Sequence, residues 1–347
     1  MTRYPLIAML AAVLFSSAAW AAEELHLYNW GDYINPQILT RFSEETGIKV
    51  SLDVYGSNEE MLAKLQAGAS GYDLVFPSVH MHDSMAVLGL LEKTDINQSA
   101  GFENIDTNFL RAKSDPKGEY CLPYAWGTVG IFYNKKQVSK PIESWEDFFN
   151  EARAGKKVIM LDDMRETLGV GLIVNGKSVN SQNADDLKQS TDWLLARKSL
   201  ISAFSYDSQT LVVSGDVAAA HFFIGALMYA KADPDNLFYV IPKEGATLYQ
   251  EDMCMLKTAP NKASAKRFME FFLRPEIAAL NVEQQMNGTP NREAIKLLPP
   301  EFRDNPQVNP PPEVMARLQI FEDLGRALRG QALSHTRRRH GTGAGWG

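Results

Sequence analysis

Cysteine is nearly absent from this 347-residue chain, with Cys121 and Cys254 the only two. That excludes a small scaffold stapled by many disulfides and any metal cluster built from several thiolates. Histidine is scarce as well, at six residues, and His80-Met81-His82 is the one close grouping, without metal-ligand spacing around it, so no metal is expected. Basic residues are outnumbered, 35 Lys and Arg against 42 Asp and Glu, for a formal net charge of −7. A mildly acidic chain has no nucleic-acid partner to expect and is an acceptable host for cationic ligands. With 45% hydrophobic and 22% charged residues, it is neither disordered nor built to span a bilayer.

What is present begins with a leader. Arg3 precedes an apolar run from Leu6 to Phe15, and Ala19-Trp20-Ala21 supplies small residues around a cleavage point. Residues 1–21 read as a secretory signal removed before Ala22, and removal of Arg3 makes the chain one unit more negative. The apolar run is too short to span, and no cysteine follows to carry a lipid. Export implies an oxidising compartment, where two cysteines are expected to pair, so one Cys121–Cys254 disulfide is predicted.

The mature chain exceeds the size at which a single core keeps growing, which predicts two lobes. Leu25 to Tyr33 (LHLYNWGDY) reads as a strand ending at Trp30, followed by a glycine and a carboxylate between aromatic rings. Asn35-Pro36 caps a helix that Gly47 stops, and residues 48–55 alternate apolar with polar as a strand does. Ser57 with Glu60 forms a capping box, the next helix ends at Gly68, and Tyr72 to Phe76 is another strand. Strands alternating with helices across short connections give an α/β fold with parallel strands, whose ligand sites lie beyond the strand carboxyl ends. Tyr120 to Asn134 reads as extended chain crossing between lobes, with Pro123 limiting it to an edge or crossing position; an ordinary edge strand with glycine bulges is the other reading. The prolines from 299 to 312 mark a stiff connector before a helix expected over Glu313 to Leu328.

Three groups of acids with aromatic residues follow predicted strands: Asp32 with Trp30 and Tyr33, Asp163 with Glu166, and Glu251 and Asp252 with Tyr249. Each has a plain structural alternative, a turn, a helix N-terminus or core packing, and Phe222 and Phe223 fit either core or cleft. If the three converge, carboxylates would take separated ammonium groups while rings pack the methylene stem and face the charge. Among these residues there is no nucleophile, base and orienter set, no phosphate loop and no metal set, so binding without turnover is expected, not catalysis.

The chain resembles the periplasmic polyamine-binding proteins, the spermidine/putrescine receptors of ABC importers. The matching stretches are Tyr28-Asn29-Trp30-Gly31-Asp32-Tyr33, Tyr72-Asp73-Leu74-Val75 with Pro77-Ser78, Leu122-Pro123-Tyr124-Ala125-Trp126-Gly127-Thr128, Asp162-Asp163-Met164-Arg165-Glu166, Lys243-Glu244-Gly245 and Thr289-Pro290-Asn291. The resemblance implies a type II periplasmic-binding-protein fold, two α/β lobes joined by crossing hinge strands, and a monomer without a cofactor. Residues 22–130 and 248–300 would form the first lobe, residues 131–247 and 301–330 the second, and residues 331–347 an atypical tail. It also implies a polyamine ligand, putrescine or spermidine, and an ABC permease as partner. By position the ligand set would be Trp30, Asp32, Tyr33, Ser78 and His80 with Asp163, Glu166, Phe223, Tyr249 and Glu251, and Asp252 if the register slips by one. His80 and Asn287 stand where the family commonly has tyrosine, Phe321 where some members have a polar contact, and Gly31 where members often have a hydroxyl side chain. A receptor for another amine or amino compound and an exported enzyme using the acid pairs are the alternative functions.

Overall fold

The computed structural model describes residues 23–325, so the leader, the tail at 331–347 and the end of the 301–330 segment lie outside the described residues. The first half alternates strand and helix: β1 (Glu24–Trp30), α1 (Pro36–Thr46), β2 (Lys49–Tyr55), α2 (Asn58–Gln66), β3 (Leu74–Val75) and α3 (Val79–Val87). The expected punctuation is in place. Asn35 accepts from Gln37 N at the start of α1, Gly47 ends it at φ 75°, and Ser57 accepts from Glu60 N to open α2. The weakly periodic stretch after Thr94 holds three single 3-10 turns instead of longer elements.

The second half repeats the alternation with β4 (Cys121–Asn134), α4 (Trp145–Arg153), β5 (Val158–Met160), α5 (Met164–Val174), α6 (Ala184–Leu195) and β6 (Ala203–Phe204). It continues through α7 (Gln209–Ser214), β7 (Ala219–Phe223), α8 (Ala226–Ala230), β8 (Leu237–Val240) and β9 (Ala246–Met255), then α9 (Lys262–Phe272), α10 (Pro275–Gln285) and β10 (Leu318–Ile320). The strands join one sheet in the order β2-β1-β3-β9-β4-β7-β5-β6, with β10 beside β9 and β8 beside β4. β1 is parallel to β2 and β3 at one side, and β5 is parallel to β6 and β7 at the other. Between them β4 and β9 run antiparallel, from Cys121 opposite Cys254 to Val129 opposite Thr247.

One alternative falls and two expectations change here. The edge-strand alternative for β4 is removed: every residue in it is buried, because β9 covers one side and β7 with β8 the other. Pro123, which has no N–H to give the ladder, is accommodated by a register shift between Pro123 and Ala125. β2 forms where its alternation predicts, but as the sheet's outer strand it leaves Leu52 and Val54 exposed. The helix expected over Glu313 to Leu328 is a single turn, Pro312–Met315, followed by β10, whose Leu318 to Ile320 pair in parallel with Ala246 to Leu248. Paired ladder bonds on β9 outweigh weak local helical preference.

The core divides along the same line. Phe42, Phe268 and Phe271 pack edge to face beneath the first set of strands, with ring centroids of 5.0 and 5.3 Å from Phe42. Trp145, Phe148 and Phe149 anchor a separate cluster with Val158, Met160 and Ile131. Burying each ring contributes about 2 to 3 kcal/mol relative to leaving it in water. The Cys121–Cys254 disulfide forms as predicted, bridging β4 to β9.

Candidate functional site

Alternation along β9 decides what the site contains. Successive side chains of a strand point to opposite faces, so Thr247, Tyr249 and Glu251 share one face while Gln250, Asp252 and Cys254 take the other. Glu251 is buried, and its two oxygens accept from Tyr33 Oη at 2.6 Å and Ser78 Oγ at 3.2 Å. Ser78 occupies the N-cap position of α3 but makes no capping bond, because its hydroxyl is turned to Glu251 and receives Asn58 Nδ2 at 3.0 Å. Tyr33 is held from its other end by Tyr124 Oη, which donates to the Tyr33 carbonyl. Burial pushes the Glu251 carboxyl up to about 8, against the two hydroxyl hydrogen bonds that favour its charge.

The second acid sits at the start of α5. Asp163 caps that helix by accepting from Glu166 N at 2.9 Å, so the helix-terminus reading of this acidic run is correct as local structure. Glu166 is buried and accepts from Thr247 Oγ1 on β9. Arg165 turns away from it, donating to the Glu322 carbonyl and to Asn180 Oδ1 with its guanidinium over the Phe321 ring. Burial, then the nearby Asp163 charge, push the Glu166 carboxyl up to about 8. Among the described residues the side-chain hydrogen bonds to these two buried acids come from hydroxyl groups, and the Arg165 charge acts on Glu166 from a distance.

Aromatic rings link them. Phe223, at the carboxyl end of β7, meets the Tyr249 ring at 5.6 Å and 79°, and lies parallel to Tyr206 at 6.4 Å. Tyr206 donates to Asp163 Oδ2 at 3.1 Å. Gly127 of β4 leaves the room Tyr249 occupies, since a Cβ there would fall 2.4 Å from the tyrosine oxygen. Asn287 donates to Tyr33 Oη at 3.3 Å, and beside it Asn287 Oδ1 and Gln285 Nε2 are buried without a hydrogen-bond partner among the described residues. Such orphan polar atoms are costly unless something else meets them.

Not every candidate residue joins this arc. Trp30 is half-buried against Tyr55, its indole N–H donating to the Phe76 carbonyl. Asp32 is exposed in the turn at φ 52°, a left-handed conformation that aspartate tolerates better than most residues. A side chain at Gly31 would enter open space. His80 is half-buried in the first turn of α3. Asp252 points to the far face, where it pairs with His82 at 2.8 Å and accepts from Gln250 Nε2 at 2.8 Å, so the structure separates it from Glu251. Tyr206 and Gln285 were not candidates from sequence. Tyr206 follows the two-residue strand β6, too short to be recognised, yet it obeys the same strand-end rule as the others. Gly171 to Ser178 spell a G-x-x-x-x-G-K-S pattern, but residues 171–174 lie inside α5 and Gly176 follows that helix, so the strand-loop-helix setting of a phosphate loop is missing.

Residues 37–310 match the family described as bacterial extracellular solute-binding protein. The chain is 34% identical over 330 residues to the putrescine-binding periplasmic protein PotF of Escherichia coli, covering 89% of each. It is 32% identical over 327 residues to the spermidine/putrescine-binding periplasmic protein of the same organism, covering 93% of this chain and 94% of the relative. Among solved structures, a putative spermidine/putrescine ABC transporter protein from Listeria monocytogenes aligns with a TM-score of 0.83 at 32% identity, over 92% of this chain and 99% of that one. The substrate-binding protein PotD of Streptococcus pneumoniae, solved with calcium and HEPES, aligns at 0.81 and 35%, over 91% and 98%. The fold is therefore the type II periplasmic-binding-protein fold that the resemblance implies. Matched over most of its length by the family model and by these relatives, the chain belongs to the bacterial extracellular solute-binding protein family.

Proposed function

We propose that the chain is a periplasmic receptor that captures a linear polyamine, putrescine or spermidine, and delivers it to an ABC permease. The observation that carries this reading is the pair of buried acids Glu166 and Glu251, whose side-chain hydrogen bonds among the described residues come from hydroxyl groups. An ammonium group brought to each would replace the missing countercharge with a charge-assisted hydrogen bond. Phe223, Tyr249 and Tyr206 then cover the methylene stem, and their ring faces favour the adjacent cations. Asp163 extends the acidic end, Ser78 and Tyr33 orient Glu251, and Trp30, Asp32 and His80 flank the first-lobe side. The names of the relatives, which specify putrescine and spermidine binding, support the same chemistry.

The lobes of this reading are residues 22–130 with 248–300 and residues 131–247 with 301–330, hinged on β4 and β9. A ligand held by Glu251 in one and Glu166 in the other favours the closed form, since only closure brings both sets of contacts together. The receptor acts as a monomer after loss of residues 1–21. Calorimetry with putrescine, cadaverine and spermidine tests the ligand class. One-to-one binding of at least one of them is expected, with thermal stabilisation on the same series. No heat and no stabilisation with any polyamine, alongside a clear shift with an amino acid or monoamine, would replace this reading by a receptor for another amino compound, which Gln285 Nε2 and Asn287 Oδ1, without partners among the described residues, would suit.

A further inference from the structure

The far face of β9 carries a second built arrangement that solute binding does not use. His82, from α3, is buried, and its Nδ1 lies 2.8 Å from Asp252 Oδ2. A carboxylate only accepts, so this contact puts the ring proton on Nδ1 and aims Nε2 the other way. Nε2 lies 3.4 Å from Cys121 Sγ of the disulfide. Asp252 is itself fixed by Gln250 Nε2 at 2.8 Å. Carboxylate, imidazole and sulfur thus stand in line, as in sites where a histidine governs a thiolate.

A small cavity reaches this line, bordered by Cys121, His82, Asp252, Arg111, Asp115 and Pro123. Three other charged groups face the imidazole and the sulfur. Asp115 accepts from the backbone N–H groups of Glu119, Tyr120 and Cys121, which absorb its charge. Asp83 lies on α3 and accepts from Ser114. Arg111 adds a positive charge at the cavity wall. Burial acts to lower the His82 imidazole, and the Asp252 hydrogen bond and charge outweigh it, so the ring retains its proton more readily than an ordinary histidine.

We propose that Cys121 is the redox-active sulfur of this disulfide, with His82, oriented by Asp252, as its positioning residue and with dithiol and disulfide reagents as co-reactants. Reduction begins when a reagent thiolate attacks Cys121 Sγ, the sulfur that lines the cavity. The Cys121–Cys254 bond breaks, and its electron pair leaves on Cys254 Sγ, which takes up a proton. The second thiol of the reagent then attacks the reagent sulfur of the mixed disulfide, oxidising the reagent to its own disulfide, and Cys121 Sγ leaves as a thiolate that the imidazolium N–H at Nε2 stabilises. Closure is the reverse: the Cys121 thiolate attacks an oxidant disulfide, and Cys254 displaces the remaining reagent thiol, so the two electrons and two protons lost by the cysteines end on the reagent.

The test uses the full mature chain with Cys254→Ser, which leaves Cys121 as a single thiol. Thiolate absorbance near 240 nm, followed against pH, reports ionisation whether or not a reagent can enter, and iodoacetamide alkylation read by mass spectrometry reports reactivity. The Cys121 midpoint is expected at least one pH unit below the ordinary thiol value of about 8.5. Adding His82→Gln should raise it by a unit or more, and Asp252→Asn, which keeps a side chain of the same size, should raise it by a smaller amount. The reciprocal Cys121→Ser chain, with Cys254 alone, should titrate at or above the ordinary value. Equal midpoints for the two single-cysteine chains, or a Cys121 midpoint unmoved by both second substitutions, would overturn the proposal. Circular dichroism on each variant identifies any that misfold, and the comparison of the two single-cysteine chains stands without His82→Gln.

Discussion

The two faces of β9 hold acids one residue apart that live in opposite circumstances. On the far face Asp252 is matched by an imidazole and an amide, a buried acid whose charge is answered within the chain. On the near face Glu251, and Glu166 reaching over to Thr247, take their side-chain hydrogen bonds from hydroxyl groups among the described residues and are pushed up to about 8 by burial. A fold built for stability alone would leave such groups in water or give each a partner. Under the proposed function a cationic ligand would answer the near-face acids, whereas the far-face acid is answered within the chain.

The contrast is broken most strongly by pH. Both near-face glutamates keep their proton in the folded state up to about 8, whereas the unfolded chain loses it near 4.5. Between those values the folded state binds more protons, so stability falls as pH rises, on the order of 1 kcal/mol per pH unit for each group, and levels above about 8. Several kcal/mol are at stake over that window. Thermal unfolding of the ligand-free protein from pH 5 to 9 should show the decline, and Glu166→Gln with Glu251→Gln should remove most of it. His82 adds a lesser slope of the same sign: its raised imidazole contributes stability below its unfolded value that is lost as pH rises through the folded one. Saturating polyamine should oppose the decline, because binding expels the two protons, and calorimetric heats below pH 8 should change with the ionisation enthalpy of the buffer. A flat stability profile without ligand would show that the glutamates are ionised and already answered.

Much of this was legible before the fold was known, for identifiable reasons. Caps and breakers are local, so α1 and α2 stand where Asn35, Gly47 and Ser57 put them. The rule that ligands meet strand carboxyl ends pointed to Ser78, Asp163 and Glu166, and the family resemblance added Phe223. Which side of β9 is which was not legible, because Glu251 and Asp252 are both acids and sequence offers no face until a partner strand is chosen. For β4 the sequence favoured a crossing strand but left an edge strand open, since proline fits either and the bulge after Pro123 depends on β9. β10 was misread as helix for the same reason: Leu318 and Ile320 are strand residues only once Ala246 and Leu248 lie beside them.

Exchanging the two faces by mutation gives the next effect in size. Asp252→Ala strands His82 Nδ1 and one of the two N–H groups of Gln250 Nε2, the other staying on the Phe109 carbonyl, and should cost about 3 kcal/mol in unfolding free energy while leaving polyamine affinity within about threefold. Glu251→Gln should do the reverse, weakening polyamine binding by roughly a hundredfold or more, about 3 kcal/mol, with ligand-free stability at neutral pH unchanged or higher. Paired denaturant melts and calorimetry on the two variants measure both quantities. If both variants lost affinity equally, the faces would share one function and Asp252 would belong to the ligand set.

The smallest effect concerns Tyr206, which touches the near face from outside the set that the sequence suggested. Its hydroxyl occupies one oxygen of Asp163 while its ring lies parallel to Phe223. Tyr206→Phe keeps the ring and frees the carboxylate oxygen, so a diamine should lose less than about threefold in affinity, the worth of one exposed hydrogen bond. Tyr206→Ser removes the ring as well and opens the Asp163 end, which should cost a short diamine more than a triamine able to fill the space with its extra aminopropyl group. Calorimetry of both variants with putrescine and spermidine reads the ratio of the two affinities. A ratio unchanged by Tyr206→Ser would mean that the ring covers Asp163 without setting the length of the ligand.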